Sequence, residues 1–284
     1  MPVITHQNGQ TTHYLDDDYA DPWKPHDTIL IQHGFARHSA FWYKWIPILS
    51  QYYRVIRRDA RGHGYSSVPG PDSNYTYDID TILGEIVNTL DQLGLGKVHY
   101  LGESTGGIWG EFMAARYPER LHSLAICSSP PYMPKAAQEM LAFGHSSWAE
   151  ACRELGSRGW GKALADAVGN EQYAGDRAFF DWWLDQMAVS SGEGLAEHAN
   201  LLCEDSFDAR RVMDDIKTPM LLLTPANSKL INLDEQQELH RAVAGSRLEL
   251  IEGRGHEIYL DQAEQCQQKY LAFLRSLPGL NKVA

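Results

Sequence analysis

Five residues, Gly102-Glu103-Ser104-Thr105-Gly106, set a serine between two glycines directly after the apolar run Val98-His99-Tyr100-Leu101. A strand that turns at once into a helix forces the central residue into a strained backbone. The flanking glycines remove side chains that would collide there, so the hydroxyl is presented at the helix N-terminus. A serine hydroxyl becomes a useful nucleophile only when a base takes its proton. His256 is the candidate base, because Glu252-Gly253-Arg254-Gly255-His256 follows the final apolar strand and precedes the final helix. A glycine-rich loop there can bring an imidazole over the serine turn, and the order serine then histidine suits such a fold. Charge that develops on an attacked carbonyl oxygen also needs preorganised N–H donors. Two backbone groups qualify: the N–H of Thr105, next to the serine, and the N–H of Phe35 in His33-Gly34-Phe35. The chemistry these residues could perform is acyl transfer.

Positioning them requires a sheet whose strands end at one edge. Asn8-Gly9 predicts a hairpin turn between two short strands. Thr28-Ile29-Leu30-Ile31-Gln32 predicts a buried strand, residues 39–51 a helix, and residues 53–59 a second strand with a tight exit through Arg61-Gly62-His63-Gly64. Apolar residues at 79, 82, 83, 86, 87 and 90 share one helical face over residues 77–93. The serine strand follows, then a helix over 106–117 and a strand over 121–128. Such alternation predicts a mostly parallel twisted α/β sheet with helices on both faces and active groups at the strands' C-terminal ends. It breaks at Pro130-Pro131, so residues 130–215 are expected to form a helical lid inserted into a core made of residues 1–129 and 216–284. The core resumes with strands over 220–224 and 247–251, a helix over 234–244 and one long helix over about 258–275.

Composition narrows the function. A chain of 284 residues with 43% hydrophobic content can bury a large core, and a formal net charge of −12 with no basic patch argues against nucleic acid. Cys127, Cys152, Cys203 and Cys266 show no C-x-x-C or zinc-like spacing, which suits free thiols in a reducing compartment. The histidines show no metal-ligand spacing, and neither a metal nor another cofactor is expected. There is no signal core and no long apolar run, so a cytoplasmic enzyme with no membrane partner is expected.

His33-Gly34-Phe35 with Trp42, Asp59-x-Arg61-Gly62-x-Gly64-x-Ser66, the serine turn, Tyr117-Pro118-x-Arg120 and Gly255-His256 together resemble the α/β-hydrolases. The resemblance is to the group that includes 3-oxoadipate enol-lactonases and related esterases, haloperoxidases and C–C bond hydrolases. It covers nearly the whole chain outside the lid. It implies a serine hydrolase acting on a small ester or lactone, with Ser104 as nucleophile, His256 as base and Phe35 and Thr105 as the oxyanion hole. A C–C bond hydrolase, a perhydrolase, or a ligand-binding or signalling protein of the same fold are the alternatives. In this family Asp59 and Arg61 usually brace turns, and Asp59 and His63 are read that way here.

One departure from the family pattern concerns the acid that orients the histidine. Its usual positions hold Ser228, after the first strand beyond the lid, and Ser128, after the strand before it. Asp234 or Glu235 could reach His256 by a folded-back loop, Glu193 or Asp205 could reach in from the lid, or a Ser104–His256 dyad could operate with Ser128 or Ser228 orienting the ring. Asp234 and Glu235 equally fit the acidic first turn of a helix. The lid's Trp148, Trp160, Trp182, Trp183, Phe143, Tyr173, Phe179 and Phe180 could enclose an apolar or aromatic ligand, with at least half of them packing lid against body, and Met133, Met140 and Met187 could add adaptable walls. Ser190-Ser191-Gly192-Glu193-Gly194 reads as a turn or hinge.

Overall fold

A computed structural model describes residues 1–70, 72–168, 176–253 and 255–278. Strands β1 (Val3–Thr5) and β2 (Thr11–Asp17) form the expected antiparallel hairpin around Gly9, where φ is +78°. The remaining strands are β3 (Thr28–Gln32), β4 (Arg54–Arg58), β5 (Val98–Glu103), β6 (Leu121–Cys127), β7 (Met220–Pro225) and β8 (Arg247–Ile251). They order as β1-β2-β4-β3-β5-β6-β7-β8, parallel from β4 to β8. Strands β3, β5 and β7 are buried along their whole length, because helices cover both faces of a parallel sheet and leave no polar side for alternation.

The core helices follow from sequence in most places. Residues 39–51 differ from the expected single helix, giving a 3-10 turn (Ser39–Trp42) and then the short α1 (Ile46–Leu49). Pro47 lies in the first turn of α1, where its missing N–H costs nothing; one turn further on it would break a continuous helix. Helix α2 (Ile79–Gln92) is capped by Asp78, whose side chain accepts the Thr81 N–H at 2.7 Å, and it buries Ile82, Leu83, Ile86 and Leu90. Each such side chain contributes about 1.5–3 kcal/mol by leaving water. Helix α3 (Thr105–Arg116) starts directly after β5.

Between β6 and β7 every described element is helical: α4 (Lys135–Leu141), α5 (Trp148–Val168, interrupted at Gly156, where φ +65° and ψ +168° are not helical), α6 (Arg177–Met187), α7 (Gly192–Leu202) and three 3-10 turns. Tyr173 lies outside the described residues. The chain then forms α8 (Leu233–Ala242), α9 (Ile258–Asp261) and α10 (Ala263–Ser276). The expected long C-terminal helix is thus two, broken at Gln262, whose backbone (φ −116°, ψ +37°) is not helical.

The stretch 190–194 is a docking point rather than a free hinge. Ser191 caps α7, the Ser190 hydroxyl accepts the Gly64 N–H at 2.9 Å, and Gly194 lies against Gly62. A Cβ on Gly194 would sit 2.2 Å from the Gly62 carbonyl oxygen, a backbone atom that cannot swing aside. Gly194→Ala should therefore lower stability by about 1–3 kcal/mol, as overpacking does, read as a shift of the urea midpoint with an unchanged m-value.

Candidate active site

The serine turn forms as its composition predicts. Ser104 has φ +51° and ψ −123°, the strained geometry of a strand that turns into a helix without a spacer. Such strain persists only where the surroundings hold it. The Ser104 N–H donates to the Cys127 carbonyl at 2.9 Å, and the Ser129 hydroxyl donates to the Ser104 carbonyl at 2.7 Å. Gly106 packs its Cα against the Gln32 and His33 carbonyls, where a Cβ would come within 2.5 Å of either oxygen.

The loop after β8 brings His256 over this turn, with Nε2 3.1 Å from the Ser104 hydroxyl. Burial holds the imidazole down to about 4, with the nearby Arg37 charge adding to the effect and Glu257 opposing it. The ring is therefore neutral and able to accept a proton at physiological pH. Its other nitrogen, Nδ1, is buried and has no hydrogen-bond partner among the described residues.

The loop after β3 supplies the facing wall. His33 receives the Ala60 N–H on Nε2 at 2.8 Å, which makes Nδ1 the protonated nitrogen, and Nδ1–H donates to the Gly34 carbonyl at 2.7 Å. Phe35 follows, and among the described residues neither its N–H nor that of Thr105 is taken up by an acceptor. The Phe35 ring packs on Trp148 and Trp160 at centroid distances of 4.4 and 5.1 Å.

Ser104 and His256 open into a cavity of about 550 Å³, mouth included, lined also by Phe35, Met133, Leu141, Trp148, Trp160 and Leu164. Of the aromatics singled out in the helical segment, Trp148 and Trp160 thus face the cavity. Trp183 is buried beneath Arg37, and Phe143, Phe179, Phe180 and Trp182 pack partly buried against the core. Met133 is a wall; Met187 and Met140 are packing.

The acid candidates disperse. Asp234 is exposed in the first turn of α8, and Glu235 accepts from the Tyr132 hydroxyl at 3.2 Å. Glu193 pairs with Arg153 at 2.9 Å, and Asp205 is exposed on a 3-10 turn. The Ser228 hydroxyl accepts the Leu230 N–H, while the Ser128 hydroxyl is buried without a partner among the described residues. Asp59 braces its loop, accepting from Ser39 N–H, Tyr65 N–H and the His13 ring.

Three charged residues at the site carried no role in the sequence reading: Arg37, Glu103 and Glu257. Glu103 and Glu257 are the immediate neighbours of Ser104 and His256, and Arg37 lies two residues after Phe35; that nearness was the available signal. Arg37 gives its Nε–H to Glu257 at 2.6 Å and stacks on Trp183, whose indole N–H donates to the other Glu257 oxygen at 3.0 Å. Glu103 lines the cavity.

The chain matches the alpha/beta hydrolase fold over residues 27–263. It belongs to that family. Among curated relatives it is 26% identical to the 3-oxoadipate enol-lactonase 2 of Acinetobacter baylyi, with 89% of this chain and 91% of that protein covered. It is also 26% identical to the pimeloyl-[acyl-carrier protein] methyl ester esterase of Aeromonas hydrophila, covering 84% and 91%. In fold it superposes on the enol-lactonase of Burkholderia xenovorans LB400 with a TM-score of 0.82 at 22% identity, covering 97% of this chain and all of that one. Among the described residues of this hydrolase-family chain, no helix is long and apolar enough to cross a membrane.

Behind the Phe35 loop stand His33, His63 and, from α7, His198, with ring centroids 5.3 Å apart for His33–His63 and 4.7 Å for His63–His198. Burial depresses all three, His33 to about 3, His63 to about 4 and His198 well below its ordinary value. The folded state therefore keeps them neutral, whereas the unfolded chain protonates them below about 6.5. Stability should be independent of these groups above pH 6.5 and fall as pH drops from there toward 4. Each contributes a slope of up to about 1.4 kcal/mol per pH unit. Urea unfolding at pH 7.5, 5.5 and 4.5 reads this, and His198→Phe should flatten the slope.

Proposed function

We propose that this protein is a serine-dependent hydrolase that cleaves a carboxylic ester or lactone with a mostly apolar or aromatic acyl part. The observation that carries the reading is the 3.1 Å approach of His256 Nε2 to a strained Ser104 hydroxyl at the wall of an apolar cavity. In this reading Ser104 Oγ attacks the carbonyl while His256 Nε2 takes its proton. The Phe35 and Thr105 N–H groups hold the oxyanion, and His256 returns the proton to the departing alkoxide. Water then attacks the acyl-enzyme by the same proton route in reverse order. No cofactor is invoked.

The surroundings support the substrate class. Trp148, Trp160, Met133, Leu141 and Leu164 offer dispersion and aromatic contacts, while Arg37 is neutralised by Glu257 rather than presented for an acidic substrate. Residues 130–215 act as the lid, since they bring Trp148 and Trp160 across Phe35. The four unpaired cysteines suit a cytoplasmic location.

A competing reading, a ligand-binding protein with little turnover, draws on His256 Nδ1, which has no partner among the described residues. The two separate on a panel of activated aryl esters and lactones. Ser104→Ala should lower kcat/KM by about 10⁴-fold or more, and His256→Ala by a comparable factor, because residues that act as a unit are not additive. Equal rates in wild type and Ser104→Ala would discard serine catalysis and leave the binding reading.

A further inference from the structure

A serine–histidine pair works best when a carboxylate stabilises the imidazolium that forms as the serine proton is taken. Here the nitrogen that such a group ordinarily engages, Nδ1, has no partner among the described residues, and Glu257 is held on both oxygens by Arg37 and Trp183. The other nitrogen has a carboxyl beside it. Glu103 Oε1 lies 3.6 Å from His256 Nε2, and the side chain is almost wholly buried. Its second oxygen, Oε2, accepts the Gly34 N–H at 2.8 Å, one residue before Phe35. One side chain therefore touches the loop that carries a candidate oxyanion donor and faces the nitrogen that receives the serine proton.

Resting on the serine-hydrolase reading above, we infer that Glu103 is the acidic positioning residue of this site. Its Oε2 holds the oxyanion loop through Gly34, and its Oε1, once ionised, supplies the negative charge against which the His256 imidazolium forms. The serine proton goes to His256 Nε2 and from there to the leaving group; Glu103 neither gains nor loses a proton in the cycle. The charge acts from the Nε2 side of the ring, which lets the site function with Ser128 and Ser228 at the usual acid positions.

Ionisation of Glu103 sets when this help is available. The groups that face it are Arg37 from the loop after β3, His256 and Glu257 from the loop after β8, and Cys127 from β6. Burial raises its carboxyl to about 8, Glu257 adds to the rise, and Arg37 and the Gly34 N–H oppose it. Below that value the carboxyl is protonated and contributes no charge, so nucleophile activation should increase as pH rises through about 8.

The test uses a fluorophosphonate, which reports serine nucleophilicity without knowledge of the substrate, on the full chain across pH 5–10. Mass spectrometry locates the label and thermal unfolding checks each variant. Wild type should label at Ser104 with a rate that rises through a limb near pH 8. Glu103→Gln retains an oxygen for the Gly34 N–H but no charge. It should label about 100-fold more slowly and lose that limb, and its ester kcat should fall with KM little changed. If Glu103→Gln labels at the wild-type rate with the wild-type pH profile, the inference is overturned and the serine reading survives. If wild type is not labelled at Ser104, the underlying reading fails instead. Should Glu103→Gln not fold, the wild-type profile decides: a rising limb above the ordinary carboxylate range supports the inference, and a rate that is flat above that range up to pH 10 overturns it.

Discussion

The site depends on a backbone approach that only hydrogen atoms permit. Ser104 can hold its positive φ because its N–H is tied to the carbonyl of Cys127, its carbonyl receives the Ser129 hydroxyl, and Gly106 lies on the carbonyls at the end of β3. Three neighbouring strand ends thereby clamp one residue. A strained conformation that would relax in an isolated peptide is over-determined by the sheet. Everything else in the site is built around that fixed hydroxyl, including the return of the chain after β8 that hangs His256 over it.

The electrostatics of the surroundings follow from burial. Arg37 and Glu257 enter the interior as a pair, with the Trp183 face against the guanidinium and its indole N–H on the carboxylate, so their charges largely cancel. His33, His63 and His198 stay neutral because water cannot reach them. Against this background the Glu103 carboxyl, which lines the cavity beside His256, is raised by burial to about 8. The same low dielectric that keeps it protonated makes its charge effective once it ionises.

The sheet was legible because alternating apolar runs and turn residues are local signals, and strands over 28–32, 98–103 and 121–127 emerge where those runs lie. Where expectation and structure part, a single residue is responsible. Pro47 restarts a helix within residues 39–51, and Gln262 divides the C-terminal one. The stretch around Gly192 looked like a hinge because glycine is ambiguous in sequence: it permits motion, and equally it permits two backbones to touch, as Gly194 and Gly62 do.

Sequence alone located the strained serine turn and the histidine whose ring approaches it, because each is marked by glycines that a turn, or a close backbone approach, demands within a few residues. It also determined that the family's acid is missing from positions 128 and 228. Only the tertiary structure decided which carboxyl stands beside His256. Asp234 was the leading candidate by spacing, with Glu235, Glu193 and Asp205 behind it, yet each points to other partners or to solvent, while Glu103 lies beside Nε2 from inside the turn itself. The reason is geometric: the proximity of Glu103 to His256, far apart in the chain, depends on how β5 and the loop after β8 are registered through the sheet, and no local pattern encodes that distance.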